Sequence, residues 1–318
     1  MTVFRPGSGG LMLFAPLFAL ALAAQAPTAA ADTPASQPAM APASLPMAQQ
    51  FDLASKITGR TYRIYISRPT GPPPKGGYPV IYVLDGDMAF PTAAAQVLLG
   101  AIGGRPQAIV VGIAYPNVMA TMTLRNRDLT PWPPDAAMLQ PGEKADDYGG
   151  ADAFHRAMME ELRPIVARTY PVDPANQTLM GYSYGGLFTL HVLFHHPEAY
   201  RTYVAGSPSI WFNGRELLKS EAAFTGAVRA GKVAPRVLIT SDSWEQAAES
   251  PDVPASGKAR ADVLKMMNDD RMVDLATRLQ ALKGPPGYRV QYALFPRETH
   301  NSGIPASTSR GVAFSVLP

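Results

Sequence analysis

The chemistry of this 318-residue chain is densest at a serine set among glycines, Gly181-Tyr-Ser183-Tyr-Gly185-Gly186. It follows an apolar run, Gln177 to Tyr182, and opens another, Leu187 to Phe194, so it reads as strand, sharp turn and helix. In that setting Gly-x-Ser-x-Gly carries a hydroxyl at the apex of a strained turn. Glycine at either flank removes a Cβ that would collide with the neighbouring strand or helix. The plainer reading of the same turn is a helix-capping serine. A serine hydroxyl is a weak nucleophile near neutral pH and needs an imidazole to take its proton; the chemistry that pair performs is acyl transfer.

Five histidines are available. His155 falls within an amphipathic helical pattern and His191 on the helix after the turn. His195 and His196 close that helix before Pro197, where a cation suits the helix dipole. His300 differs, because it lies in a polar loop, Pro296-Arg-Glu-Thr-His-Asn-Ser-Gly303, after the final apolar run. Nucleophile first and histidine last is the chain order of α/β-hydrolases, so Ser183 and His300 are the expected nucleophile and base. A protonated imidazole cannot act as base, so activity should decline as pH drops through the histidine range near ~6.5. The acid that orients the imidazole should come from Ser241-Asp-Ser-Trp-Glu-Gln246. Glu245 is preferred for its longer reach; Asp242, at the strand terminus, is the alternative, and Glu298 a third choice. Two backbone N–H groups must meet the oxyanion. Tyr184 supplies one; Asp87, in the turn Asp85-Gly86-Asp87-Met88 with Gly86 permitting the bend, supplies the other.

These residues need a scaffold. Phe51 to Ile66 alternates apolar and polar residues around Thr58-Gly59-Arg60, predicting an antiparallel hairpin. Pro79 to Leu84 and Ala108 to Ile113 are continuous apolar runs, as for strands covered on both faces. Gln177 to Tyr182, Thr202 to Ala205, Arg236 to Thr240 and Tyr288 to Phe295 are further strand candidates. Helices are predicted over Thr92 to Leu99, Asp152 to Thr169, after Ser183, across Asp262 to Leu282 and from Ser307 to Phe314, with a long loop between Tyr115 and Tyr148. Strands alternating with helices imply an α/β fold of three layers around a mostly parallel sheet.

Composition limits the function further. The chain is 47% hydrophobic and 17% charged, enough to bury a core and too apolar for a disordered one. A net charge of +3 argues against nucleic acid as a partner. The absence of cysteine removes disulfides, thiolate nucleophiles and Cys-ligated metals. After Arg5, the run Leu11 to Ala24 is shorter than the ~18 residues of a membrane span and ends in small residues. Residues 1–31 therefore read as a signal peptide cleaved after Ala31, leaving a periplasmic or secreted protein with no stable membrane anchor. Residues 32–47, rich in Ala, Pro and Ser, read as a tether, and 48–318 as one domain.

Taken in order, Thr58-Gly-Arg-Thr-Tyr-Arg-Ile-Tyr65, Leu84-Asp-Gly86, Arg125-Asn-Arg-Asp-Leu-Thr-Pro131, the Ser183 segment, Ser207-Pro-Ser-Ile-Trp211 and His300 resemble the esterase-D-type "putative esterase" family. The likeness is strongest to its bacterial periplasmic trilactone esterases, which act on catecholate siderophores such as enterobactin and salmochelin. It implies an α/β-hydrolase fold without a large lid domain, ester hydrolysis through a seryl acyl-enzyme, no cofactor, and Ser183, His300, Asp87 and Tyr184 in the roles given above. Where the family often shows Gly-Glu-Leu-Glu, this chain has Asp242-Ser-Trp-Glu245, and some siderophore esterases resemble a Ser–His dyad.

On chemical grounds Trp211 is placed to stack on an aryl acyl group, and Arg125 or Arg127 to meet an anionic catecholate. The plain alternatives are partial core for Trp211 and a local Arg125–Asp128 ion pair. Tyr182 and Tyr184 flank the nucleophile and would narrow the mouth of the site. The expected partner is a small-molecule ester; a general acyl, acetyl-xylan or feruloyl esterase, or a binding protein on the same fold, are the alternatives.

Overall fold

The continuous apolar runs are central strands. In the computed structural model, which describes residues 44–117, 121–136, 139, 142–243 and 271–317, β3 (Tyr78–Val83) and β4 (Ile109–Ala114) are buried along their whole length. The leader, the tether up to residue 43 and Glu245 lie outside the described residues. Residues 45 and 47, read as the end of the tether, already bond to the body: the Leu45 carbonyl accepts from the Ala48 N–H and the Met47 carbonyl from the Arg68 N–H.

The predicted hairpin is β1 (Ala48–Ala54) with β2 (Thr61–Ser67), paired antiparallel, and β2 also runs antiparallel to β4. The other strands are β5 (Val172–Tyr182), β6 (Thr202–Gly206), β7 (Arg236–Asp242) and β8 (Arg289–Phe295). They form one eight-stranded sheet in the order β1-β2-β4-β3-β5-β6-β7-β8, parallel from β4 to β8.

Because successive strand residues point to opposite faces, each central strand feeds two cores. Ile81, Val83, Val110, Met180, Val204 and Leu238 pack beneath α1 (Gly86–Ile102), which brings Phe90 and Ala93, and beneath the last helix (Gly303–Val316), which brings Val312 and Phe314. Val80, Tyr82, Ile109, Val111, Leu179 and Tyr203 face the other layer. There α3 (Ala151–Ala157) passes through a π-helical turn, Met158–Leu162, into α4 (Arg163–Thr169). They share that face with α5 (Tyr184–His195), α7 (Glu221–Arg229) and α8 (Met272–Gln280). The three-layer expectation holds, with no large extra domain among the described residues.

Three readings need correction. The stretch between Tyr115 and Tyr148 is not all loop, since it contains α2 (Thr121–Leu129). The first helix starts six residues before Thr92, at Gly86, and runs through Pro91, whose ring removes one intrahelical N–H bond without ending the helix. The last, α9, likewise starts at Gly303 rather than Ser307. Neither α6 (Phe212–Arg215) nor α7 was anticipated.

Candidate active site

Parallel strands bring their carboxyl ends to one rim, where ligands bind in open α/β sheets. Tyr182 lies beside Gly206 and Gly206 beside Thr240, so β5, β6 and β7 end nearly level. Asp85 after β3, Ser183 after β5, Ser207 to Ser209 after β6, Asp242 closing β7 and His300 after β8 therefore occupy this rim.

Ser183 sits at φ 58, ψ −118, a conformation that disfavours any residue with a Cβ. It is held by bonds on both sides: its N–H donates to the Gly206 carbonyl at 2.9 Å, and its carbonyl accepts from Leu187 at 2.9 Å and Ser209 at 3.2 Å. A Cβ at Gly181 would run into the Gly185 carbonyl, so the turn can be this sharp only with glycine there. The Ser183 Oγ lies 3.4 Å from Ser209 Oγ, a neighbour that hydrophobic patterning does not reveal.

Tyr184 opens α5 and Asp87 is the second residue of α1. Both sit in a first helical turn, whose N–H groups have no carbonyl within the helix to bond. The bend before α1 is made differently from expectation: Asp85, not Gly86, takes the left-handed conformation, at φ 51, ψ 51. Gly86 is required instead by close approach, since a Cβ there would stand 2.9 Å from the Ile113 nitrogen on β4. The Asp87 carboxylate accepts from the Tyr65 hydroxyl at 2.7 Å, and burial, then this carboxylate, push the Tyr65 phenol up to about 12.

His300 packs its ring against Tyr182, centroid to centroid 5.1 Å, which places it beside the residue that precedes Ser183. Tyr182 does not line the mouth of the site as expected. It is 8% exposed and donates its hydroxyl to Oδ2 of Asp242, which is wholly buried. A Cβ at Gly303, three residues after His300, would overlap the Asp242 carboxyl, so that carboxyl lies directly under the start of α9. Glu298 accepts from the Ser302 hydroxyl within its own loop.

Trp211 is half-buried against Tyr184 and Phe212, at ring distances of 6.1 and 6.2 Å. Burial pushes the Tyr184 phenol up to about 12. Arg125 does not form the alternative local ion pair with Asp128. Arg125, 6% exposed, binds both carboxylate oxygens of Asp85 at 2.8 and 2.9 Å, with its guanidinium carbon 5.6 Å from the centre of the Tyr184 ring. That burial sets it apart from a catecholate contact at the surface. Asp128 instead accepts from Arg60 at 2.7 Å and from the hydroxyls of Tyr62 and Tyr115. Arg127 donates to the Asp146 carbonyl. No cluster of His, Asp or Glu that could hold a metal ion occurs among the described residues.

Residues 55–253 match the family described as "Putative esterase". The chain is 34% identical over 285 residues to the ferri-bacillibactin esterase BesA of Bacillus subtilis, covering 86% of this chain and 91% of that protein. It is 33% identical over 288 residues to a siderophore triacetylfusarinine C esterase of Aspergillus fumigatus, covering 84% and 92%. Among solved structures, the BES protein from Bacillus cereus superposes with a TM-score of 0.73 at 30% identity, over 89% of this chain and all of that one.

Proposed function

The chain belongs to the putative esterase family and is a carboxylic ester hydrolase of the serine type, and from that premise we propose that it is a periplasmic or secreted enzyme that opens ester bonds of siderophores through a seryl acyl-enzyme. The observation that carries the mechanism is the strained Ser183 turn beside the Tyr182–His300 ring contact.

His300 takes the Ser183 proton as the hydroxyl attacks the ester carbonyl, and the Asp87 and Tyr184 amides hold the oxyanion. His300 then protonates the leaving alcohol, and a water molecule, activated by the same imidazole, releases the acid and regenerates Ser183. For the acid that orients His300, burial and the Tyr182 hydroxyl favour Asp242 over Glu245. Trp211, with Tyr184 beside it, forms the aromatic wall on which an aryl acyl group would stack. Support for a siderophore ester comes from the two relatives, both siderophore esterases and each matched over more than nine-tenths of its length. Support for export comes from the signal-like leader, residues 1–31, and no described helix is long and apolar enough to cross a membrane.

The test is a panel of p-nitrophenyl acetate, ferric and iron-free enterobactin and a feruloylated sugar, with wild-type protein and Ser183→Ala. The wild type should hydrolyse the siderophore most efficiently and form a covalent fluorophosphonate adduct at Ser183, and the variant should do neither. Retained turnover in Ser183→Ala would remove the nucleophile, and preference for the feruloylated sugar would replace the substrate class.

A further inference from the structure

Asp85 is the residue immediately before α1, the position where an aspartate ordinarily turns its carboxylate back to accept from the second or third N–H of the helix. Here it does not: Asp85 makes no side-chain capping bond, although its carbonyl accepts from Met88 and Ala89 at 2.9 and 3.1 Å. Both of its carboxylate oxygens are taken by Arg125, reaching in from α2, 40 residues on. The second helical N–H, the one a capping Asp85 would cover, belongs to Asp87, the amide assigned to the oxyanion. The same guanidinium lies beside the Tyr184 ring, and a Cβ at Gly185 would stand 3.4 Å from Asp85 Oδ2, so the pair is wedged between the two segments that carry the oxyanion amides.

We propose that Arg125 is a positioning residue that holds the Asp85 carboxylate away from its own helix and so keeps the Asp87 N–H open for the substrate oxyanion. The inference rests on the acyl-enzyme reading above. Two parallel N–H···O bonds fix a carboxylate in direction as well as place, which a single ammonium does not. On this proposal, a buried carboxylate left unpaired by the loss of Arg125 turns to the free amides of the first turn of α1, and bonding to them closes the hole.

The experiment compares Arg125→Met, Arg125→Lys and Arg125→Met with Asp85→Ala, on neutral p-nitrophenyl acetate and on iron-free enterobactin. Loss of one oxyanion donor lowers turnover by about 10²–10³-fold. Arg125→Met should therefore lose about 10²-fold in kcat on both esters with little change in KM, and its rate of fluorophosphonate labelling should fall in parallel. Adding Asp85→Ala removes the carboxylate that blocks the amide, and should restore kcat at least tenfold over the single variant. Arg125→Lys, which keeps the buried charge and the fold, should show a smaller loss of the same kind and carries the comparison if Arg125→Met does not fold. Unchanged kcat on the neutral ester with a raised KM for enterobactin alone would make Arg125 a substrate contact and overturn the proposal. So would a double variant no faster than the single one, the result expected of a purely structural ion pair. An inactive wild type, or an active Ser183→Ala, would instead strike the acyl-enzyme reading itself.

Discussion

Tyr182 joins Asp242 to His300: its hydroxyl donates to the Asp242 carboxylate while its ring lies 5.1 Å from the imidazole. The residue preceding Ser183 thus touches both the proposed base and a fully buried carboxylate at the end of β7.

That arrangement separates the two candidate acids. Asp242→Asn should lower kcat by ~10²-fold or more, because an amide can stabilise the wrong imidazole tautomer and no longer offsets the imidazolium charge. Glu245→Gln should stay within about threefold of wild type. The opposite ranking in steady-state assays would assign the role to Glu245.

Trp211 should discriminate acyl groups. Trp211→Leu keeps an apolar wall but loses the ring, and an aromatic stacking contact is worth ~0.5–1.5 kcal/mol beyond area. KM for aryl esters should rise about threefold to tenfold while KM for acetyl esters moves little. Equal changes for both classes would return Trp211 to a packing role.

Asp128 holds the edge of the sheet to α2. Its buried carboxylate, kept above the usual carboxylate range by burial despite Arg60, Tyr115 and Tyr62, is the shared acceptor for three donors. Asp128→Ala leaves them without it and should destabilise the fold by about 3 kcal/mol, with Asp128→Asn costing less. Urea unfolding measures both; a loss under ~1 kcal/mol in the alanine variant would deny the hub its role.

His155 should make stability fall in mild acid. Burial, then the neighbouring His196, His191 and Arg163, depress its imidazole from 6.5 to about 4, with Asp152 opposing. The unfolded chain therefore takes up a proton at His155 below pH ~6.5 that the folded one refuses until about 4, and the stability attributable to it is lost across that window. The loss is roughly 3 kcal/mol, and His155→Phe should make the curve shallower there, the remaining slope coming from His191, whose imidazole burial also depresses. Asp152, held below its usual value chiefly by the His191 hydrogen bond, acts only at still lower pH. An unchanged pH profile in His155→Phe would refute the assignment.

Hydrophobic pattern made the central strands and the serine turn legible, because Val, Ile and Leu buried on both faces leave an unbroken run and a glycine-flanked serine needs a strand before it and a helix after it. It could not disclose α2, whose buried face carries Thr121, Arg125 and Asp128 and so reads as polar loop. The Arg125–Asp85 pair was illegible for a related reason: charges 40 residues apart leave no periodic trace, and the local arithmetic of Arg125 and Asp128 pointed to the wrong partner. The direction of Tyr182 was equally hidden, since alternation along β5 turns it inward onto Asp242.

Ser183 is kept at a torsion that glycine would accept freely. On the acyl-enzyme proposal, Ser183→Gly should be inactive and, relieved of this torsion, should melt at a higher temperature than the wild type, so that the fold gives up stability to hold the hydroxyl out.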